Sequence, residues 1–177
     1  DITVADVAKG GLGVAAEVVP SRHGHGLVGW LMGPVGAIFL APDDAPSLLL
    51  TGDSVLTESL LEAVERLQPE VIVAPAGSAN LGRGKDILFS VDELVELVQR
   101  APGKVLLNHL EALDHCPTTR AGLRERMQAE GLGHKISVPE DGERVPFDRL
   151  GLSRGEIRVS RPKPGFQKWL TARFAGT

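Results

Sequence analysis

Apolar residues in the first third of the chain fall in short runs broken by glycine and proline, a pattern of strands and turns. Ile2–Val7 and Val14–Pro20 are two such runs, separated by Lys9-Gly10-Gly11-Leu12-Gly13. Val28–Met32 and Ala37–Leu40 are two more and flank Gly33-Pro34-Val35-Gly36. Asp43-Asp44-Ala45-Pro46 marks a turn before a strand at Ser47–Leu50. After Asp53 the period changes: Leu60, Leu61, Val64 and Leu67 recur at helical spacing, and Pro69 stops the helix. Val71–Ala74 is a near-continuous apolar run, as in a buried strand. A glycine-rich loop over 76–86 follows. Ser90 with Glu93 then forms a capping-box signature before a helix carrying Leu94, Val95, Leu97 and Val98. Lys104–Leu107 predicts a strand and 108–117 a loop. Thr118 or Thr119 caps a helix with Leu123 and Met127, which Gly131 and Gly133 end. Ile136–Val138 is a last short strand. Strands first, then strand–helix alternation, predict an α/β (α+β) domain with helices on one face of a β-rich layer. No internal repeat interrupts that order.

Composition narrows the class. A chain of 177 residues suits one domain with a sizeable core. A formal net charge of −4 argues against a basic face for nucleic acid. The apolar runs are far too short for a membrane span, and residues 1–20 lack a basic start followed by a long apolar stretch. The single Cys116 excludes an internal disulfide and fits a cytoplasmic protein. Tyrosine is absent, which excludes a tyrosine general acid. From Pro146 the chain is richer in Arg, Lys and Pro, so the expected organisation is a domain over 1–145 and a peripheral tail over 146–177.

Three places put ligand-type residues directly after apolar strands: Pro20-Ser21-Arg22-His23-Gly24-His25, Leu50-Thr51-Gly52-Asp53-Ser54, and Asn108-His109-Leu110-Glu111-Ala112-Leu113-Asp114-His115-Cys116. Strand ends gather in space, so such residues can converge although distant in sequence. Two His and one Asp suit zinc, manganese or iron. Each element alone has a plainer reading. A His beside a Gly is commonly just hydrogen-bonded, Asp53 can cap the following helix, and His109 can be a satisfied polar residue.

Taken together and in this order, the three stretches resemble the metallo-β-lactamase-fold hydrolases, in particular their lactonase-like branch, from about Val18 to Gly142. Pro20-Ser21-Arg22-His23-Gly24 resembles the third metal motif of that family, Leu50-Thr51-Gly52-Asp53-Ser54 the fourth, and the His109–Cys116 stretch the last. The resemblance implies His23, Asp53 and His109 as metal ligands, with Asp53 bridging two ions and also serving catalysis. It implies His115 as a catalytic residue beside the substrate. The ions would be zinc, with manganese or iron as alternatives, and two in the complete site. The reaction would be hydrolysis of an ester, lactone or phosphoester on a small-molecule substrate.

One departure is large. The family carries His-x-His-x-Asp-His upstream of these motifs, whereas the only His-x-His here is His23-Gly24-His25, followed by Gly26-Leu27-Val28. The resemblance therefore covers the C-terminal half of an αββα sandwich. The chain opens on Asp1 rather than Met, in keeping with a start near the second half. The missing ligands would come from an N-terminal half-domain or a companion chain, and self-association into a homo-oligomer is the other way to cover the sheet. An alternative function follows, a catalytically incomplete fragment acting as a structural or partner-binding module.

Other chemistries fit less well. Gly77-Ser78-Ala79-Asn80-Leu81-Gly82-Arg83-Gly84-Lys85 follows a strand but puts Arg83 where a phosphate-binding loop needs Lys, and no Ser or Thr follows Lys85. It reads as a plain solvated loop or as a loop at the site mouth that touches an anionic substrate through Arg83 or Lys85. Ser54 lacks the Gly-x-Ser-x-Gly elbow of serine hydrolases. Cys116 and His115 are adjacent on one loop and do not readily form a nucleophile pair.

Overall fold

The computed structural model describes residues 14–43, 45–80, 86–111 and 114–146. The strand expected at Ile2–Val7, the loop residues Arg83 and Lys85, and the tail from 147 onward lie outside these residues.

Six strands form one sheet in sequence order. β1 (Val14–Arg22), β2 (Pro34–Pro42) and β3 (Leu48–Leu50) are antiparallel neighbours. From β3 onward, β4 (Val71–Pro75), β5 (Lys104–Asn108) and β6 (Ile136–Ser137) join in parallel. Parallel neighbours need a crossover. These are α2 (Glu58–Leu67), α3 (Val91–Arg100) and α4 (Arg120–Ala129), one between each successive pair. Two reversals return β3 to the direction of β1. Hence β1, β3, β4 and β5 all end at the same sheet edge.

The three crossover helices start where side chains satisfy their first free N–H groups. Thr57 Oγ accepts from the Leu60 N–H at 3.2 Å, and Thr119 Oγ from the Gly122 N–H at 3.1 Å. Ser90 and Glu93 form the reciprocal box, with the Ser90 N–H donating to Glu93 Oε2 at 2.8 Å.

One expected strand is a helix: Val28–Met32 belongs to α1 (Gly26–Met32). A short apolar run without alternation suits either structure, and here glycines decide. Gly24 and Gly26 take φ of +102° and +57°, which turns the chain back on itself. Gly29 packs so closely on Gly24 that a Cβ would lie 2.1 Å from the Gly24 carbonyl oxygen. That approach closes a helical turn and excludes an extended one. β2 is also longer than expected, beginning at Pro34, because it pairs with all nine residues of β1.

The sheet's two faces differ. On one, Ala37, Phe39, Leu49, Ile72, Ala74, Val105 and Leu107 are buried with Leu60 and Val64 of α2, Leu94 and Leu97 of α3, and Leu123 and Met127 of α4. Side chains alternate along a strand. The opposite face therefore carries Val18, Ile38, Leu50, Val73 and Leu106, aligned in register across five strands. None of these five is buried, and Ile38 is 43% exposed. This second apolar face is uncovered by any described element.

Leu49→Ala removes a fully buried side chain at the junction of the antiparallel and parallel parts. We expect a loss of about 2–5 kcal/mol in urea unfolding; a loss below about 1 kcal/mol would show that the core does not centre there.

Candidate functional site

Backbone hydrogen bonds stitch the common edge together. The Val55 N–H donates to the Arg22 carbonyl at 2.9 Å, tying the loop after β3 to the end of β1. The Thr51 N–H donates to the Val73 carbonyl at 3.0 Å, tying β3 to β4, and the Ala76 N–H to the Asn108 carbonyl at 2.8 Å, tying β4 to β5. His23, Asp53 and His109 each follow one of these strand ends.

His23 is half-buried, and its Nδ1 lies 2.8 Å from the Ile87 carbonyl oxygen. A carbonyl only accepts, so Nδ1 carries the hydrogen and the neutral ring keeps its lone pair on Nε2. Asp53 follows Gly52, which has φ +61°, and stands exposed at the edge. His109 takes φ +53°, left-handed backbone that a non-glycine residue adopts only where its surroundings hold it there. Its Nδ1 lies 3.5 Å from Cys116 Sγ. Its ring meets the exposed His115 ring edge-on, with centroids 6.3 Å apart.

The loop over 109–118 is held against residues 76–80. The Asn80 N–H donates to the His115 carbonyl and the Thr118 N–H to the Gly77 carbonyl, both at 3.2 Å. Gly77 is essential to this contact: a Cβ there would lie 2.4 Å from the His109 carbonyl oxygen and 2.7 Å from Cys116 Sγ. Cys116 is buried, and burial, helped by the negative charge of Asp53, pushes its thiol pKa up. That influence places Asp53 in the electrostatic neighbourhood of the His109–Cys116 pair. The sequence pattern did not single out Gly77, Ile87 or Cys116 as partners of these histidines.

His25 has a different role from His23. Its Nε2 lies 2.8 Å from Glu93 Oε1, while the other Glu93 oxygen caps α3. His25 therefore ties the β1–α1 loop to that helix. Asp86 lies close by, and its carboxyl pKa is raised by burial and by Glu93, partly offset by His25.

The structure thus brings His109, His115 and Cys116 into one cluster influenced by Asp53, while His23 follows β1, separated from β3 by β2 and from β5 by three strands of the sheet. Donors of the right kind for a borderline metal are present, and His23 offers a free Nε2. Their number is insufficient: among the described residues, no three His, Cys, Asp or Glu side chains converge closely enough to hold a metal ion. Nor, among them, is any helix long and apolar enough to cross a membrane.

No protein-family model matches the chain. It is 30% identical over 139 residues to UPF0173 protein YddR of Bacillus subtilis (strain 168), covering 76% of this chain and 54% of that protein. Among solved structures, the isothiocyanate hydrolase from Delia radicum gut bacteria superposes with a TM-score of 0.68 at 25% identity, covering 74% of this chain and 53% of that one. A possible metal-dependent hydrolase from Veillonella parvula DSM 2008 superposes with a TM-score of 0.67 at 27% identity, with the same coverages of 74% and 53%. The metallo-beta-lactamase fold protein YhfI from Bacillus subtilis gives 0.51 at 13% identity over 74% of this chain and 48% of that one, a likeness of fold alone. The six-stranded sheet with its helices is thus a mixed α/β architecture of the metallo-β-lactamase type. The chain spans about half the length of the relatives it matches.

The environment of Cys116 makes a direct prediction. At pH 8 the folded thiol should react with iodoacetamide at least about tenfold more slowly than in urea, because little thiolate forms and access is blocked. A thiol pKa raised by folding contributes stability below the unfolded pKa, and that contribution is lost as pH rises through the folded one. Stability should therefore fall above the ordinary thiol range, and less so in Cys116→Ala. Equal folded and unfolded alkylation rates would contradict this.

Proposed function

We propose that this chain supplies one wall of a metal-dependent hydrolase centre, with His23, Asp53 and His109 as metal ligands and His115 beside the substrate. The observation that carries the reading is strand polarity. β1, β3 and β5 deliver these three residues to one edge, and His23 is held with Nε2 free to bind. Hydrolase relatives with the same fold support it.

The metal would be zinc, with manganese or iron as alternatives, and two ions in the complete site. Such an ion supplies Lewis acidity and lowers the pKa of a water to about 7. Asp53 would hold the metal through its carboxylate. Nδ1 engagement orients both His23 and His109, the arrangement that usually fixes a ligand histidine's ring. His115, exposed beside His109, faces the substrate and positions or protonates it. The substrate class is an ester, lactone or phosphoester. The remaining ligands come from an N-terminal half-domain or a companion chain seated on the open face of Val18, Ile38, Leu50, Val73 and Leu106.

A second reading, a non-catalytic partner-binding module, is favoured by the absence of three convergent donors among the described residues and by the same open face. The two separate in the completed assembly. With zinc or manganese, hydrolysis of a lactone and phosphoester panel should appear, and a chelator should abolish it. Asp53→Ala should eliminate turnover, His109→Ala should lower both metal content and rate, and His115→Ala should lower rate alone. Equal metal content in wild type, Asp53→Ala and His109→Ala would overturn the ligand assignment. Metal binding without turnover would favour the module.

The open sheet face gives its own expectation. Large apolar patches are uncommon on stable monomers. In sedimentation the chain alone should self-associate, or bind an added N-terminal half, and Ile38→Lys should weaken either association. A stable wild-type monomer that ignores the added half would refute the docking role of this face.

A further inference from the structure

Arg120 occupies the first position of α4, where a cation opposes the helix dipole. Local helix chemistry therefore does not explain it. Its side chain is 11% exposed, against 39% to 48% for Arg66, Arg100, Arg124 and Arg126, which also pair with carboxylates. Each nitrogen of its guanidinium reaches a different residue. Nε donates to the Pro139 carbonyl at 2.9 Å, Nη1 pairs with Glu111 Oε1 at 3.1 Å, and Nη2 pairs with Asp141. Glu140 lies 3.6 Å from Nε. The backbone N–H of Arg120 donates to the second Glu111 oxygen, Oε2, at 2.8 Å. Glu111 thus engages one residue with both oxygens. One meets the guanidinium, and the other meets a free N–H at the helix start, where a carboxylate is favoured.

Glu111 follows His109 by two residues and precedes His115 by four. The 109–118 loop is therefore gripped on two sides. Residues 76–80 hold it through Gly77, Asn80 and Thr118. Arg120 holds it through Glu111 and joins it to the segment after β6. Charge-assisted bonds from a planar guanidinium fix direction as well as distance, so a fork with all three nitrogens engaged is a rigid fixture. We propose that Arg120 is a positioning residue: by clamping Glu111 between α4 and residues 139–141, it fixes the loop that presents His109 and His115. It acts through Glu111 and not on metal or substrate. Its consequence for turnover rests on the hydrolase reading; the clamp itself does not.

The test is amide hydrogen exchange, followed by NMR on the full chain without metal. The Asn80 and Thr118 N–H groups bond the His115 and Gly77 carbonyls, so their exchange reports lifting of the loop. The amides of β5 report the fold. Arg120→Gln should speed exchange at Asn80 and Thr118 about tenfold relative to β5, the loss of a charge-assisted pair. It should also shift the ring signals of His109 and His115. Glu111→Gln should act in the same direction, and the double variant should add little to Arg120→Gln, because both remove one interaction. Arg124→Gln loosens Val138 and Glu140 without reaching Glu111, and should leave the loop and both rings as in wild type. A merely structural role would speed loop and strand amides alike. That outcome, unchanged exchange in Arg120→Gln, or additive effects in the double variant would overturn the proposal. In the completed assembly, Arg120→Gln should lower kcat about tenfold, with added zinc recovering part of the rate. A loosened loop in an assembly that hydrolyses nothing would keep the clamp and sink the hydrolase reading. Zinc-dependent hydrolysis indifferent to Arg120 would sink the positioning role and keep that reading.

Discussion

Everything at the candidate site depends on the direction in which four strands run. A meander of three strands returns β3 to the heading of β1, and helical crossovers keep β4 and β5 on it. Had the first connection been a crossover instead, His23 would lie at the far end of the sheet from Asp53. The three backbone bonds from Val55 to Arg22, Thr51 to Val73 and Ala76 to Asn108 then lock neighbouring strand ends at the positions where the loops depart. Each such bond is worth only about 1 kcal/mol. Their importance is geometric, since they set the height at which each loop leaves the sheet.

The same sheet explains why the chain carries ligand-type residues without a complete metal site. Helices bury one face, while an aligned apolar row occupies the other. A sheet that is apolar on both sides belongs between two layers. The chain matches about half of each relative, and the donors at the edge are too few among the described residues. Under the proposed function, a layer covering Val18, Ile38, Leu50, Val73 and Leu106 would also bring its own strand ends to the same edge.

Much of this architecture was legible in the sequence because it is written locally. Ser90 with Glu93, and Thr119, mark helix starts by satisfying nearby N–H groups, and the apolar runs at 71–74 and 104–107 mark strands; the cap of α2 is Thr57 and not Asp53, as the sequence suggested. The segment 28–32 was misread because its helix depends on Gly29 fitting against Gly24, a steric fact that hydrophobicity does not encode. Candidate ligands could be named from residue type and their place after strands. What surrounds them could not. The His23–Ile87 contact spans 64 positions and uses a backbone carbonyl, which leaves no trace in side-chain identity.

Cys116 and Gly77 show how such hidden contacts constrain the edge. The left-handed backbone of His109 is costly by itself, roughly 1 kcal/mol or more. It persists because its carbonyl and Cys116 pack against a residue without a side chain, and because Thr118 and Asn80 fasten the same loop on either side of Cys116. The strain therefore cannot relax by moving His109 alone; the whole 109–118 loop would have to lift from 76–80. A thiol suits the position beside the ring. It is small enough to pack on Gly77, and burial keeps it protonated, so it adds no second negative charge near Asp53. A carboxylate there would repel Asp53. Neutrality at 116 leaves the Asp53 charge without a like charge at that position.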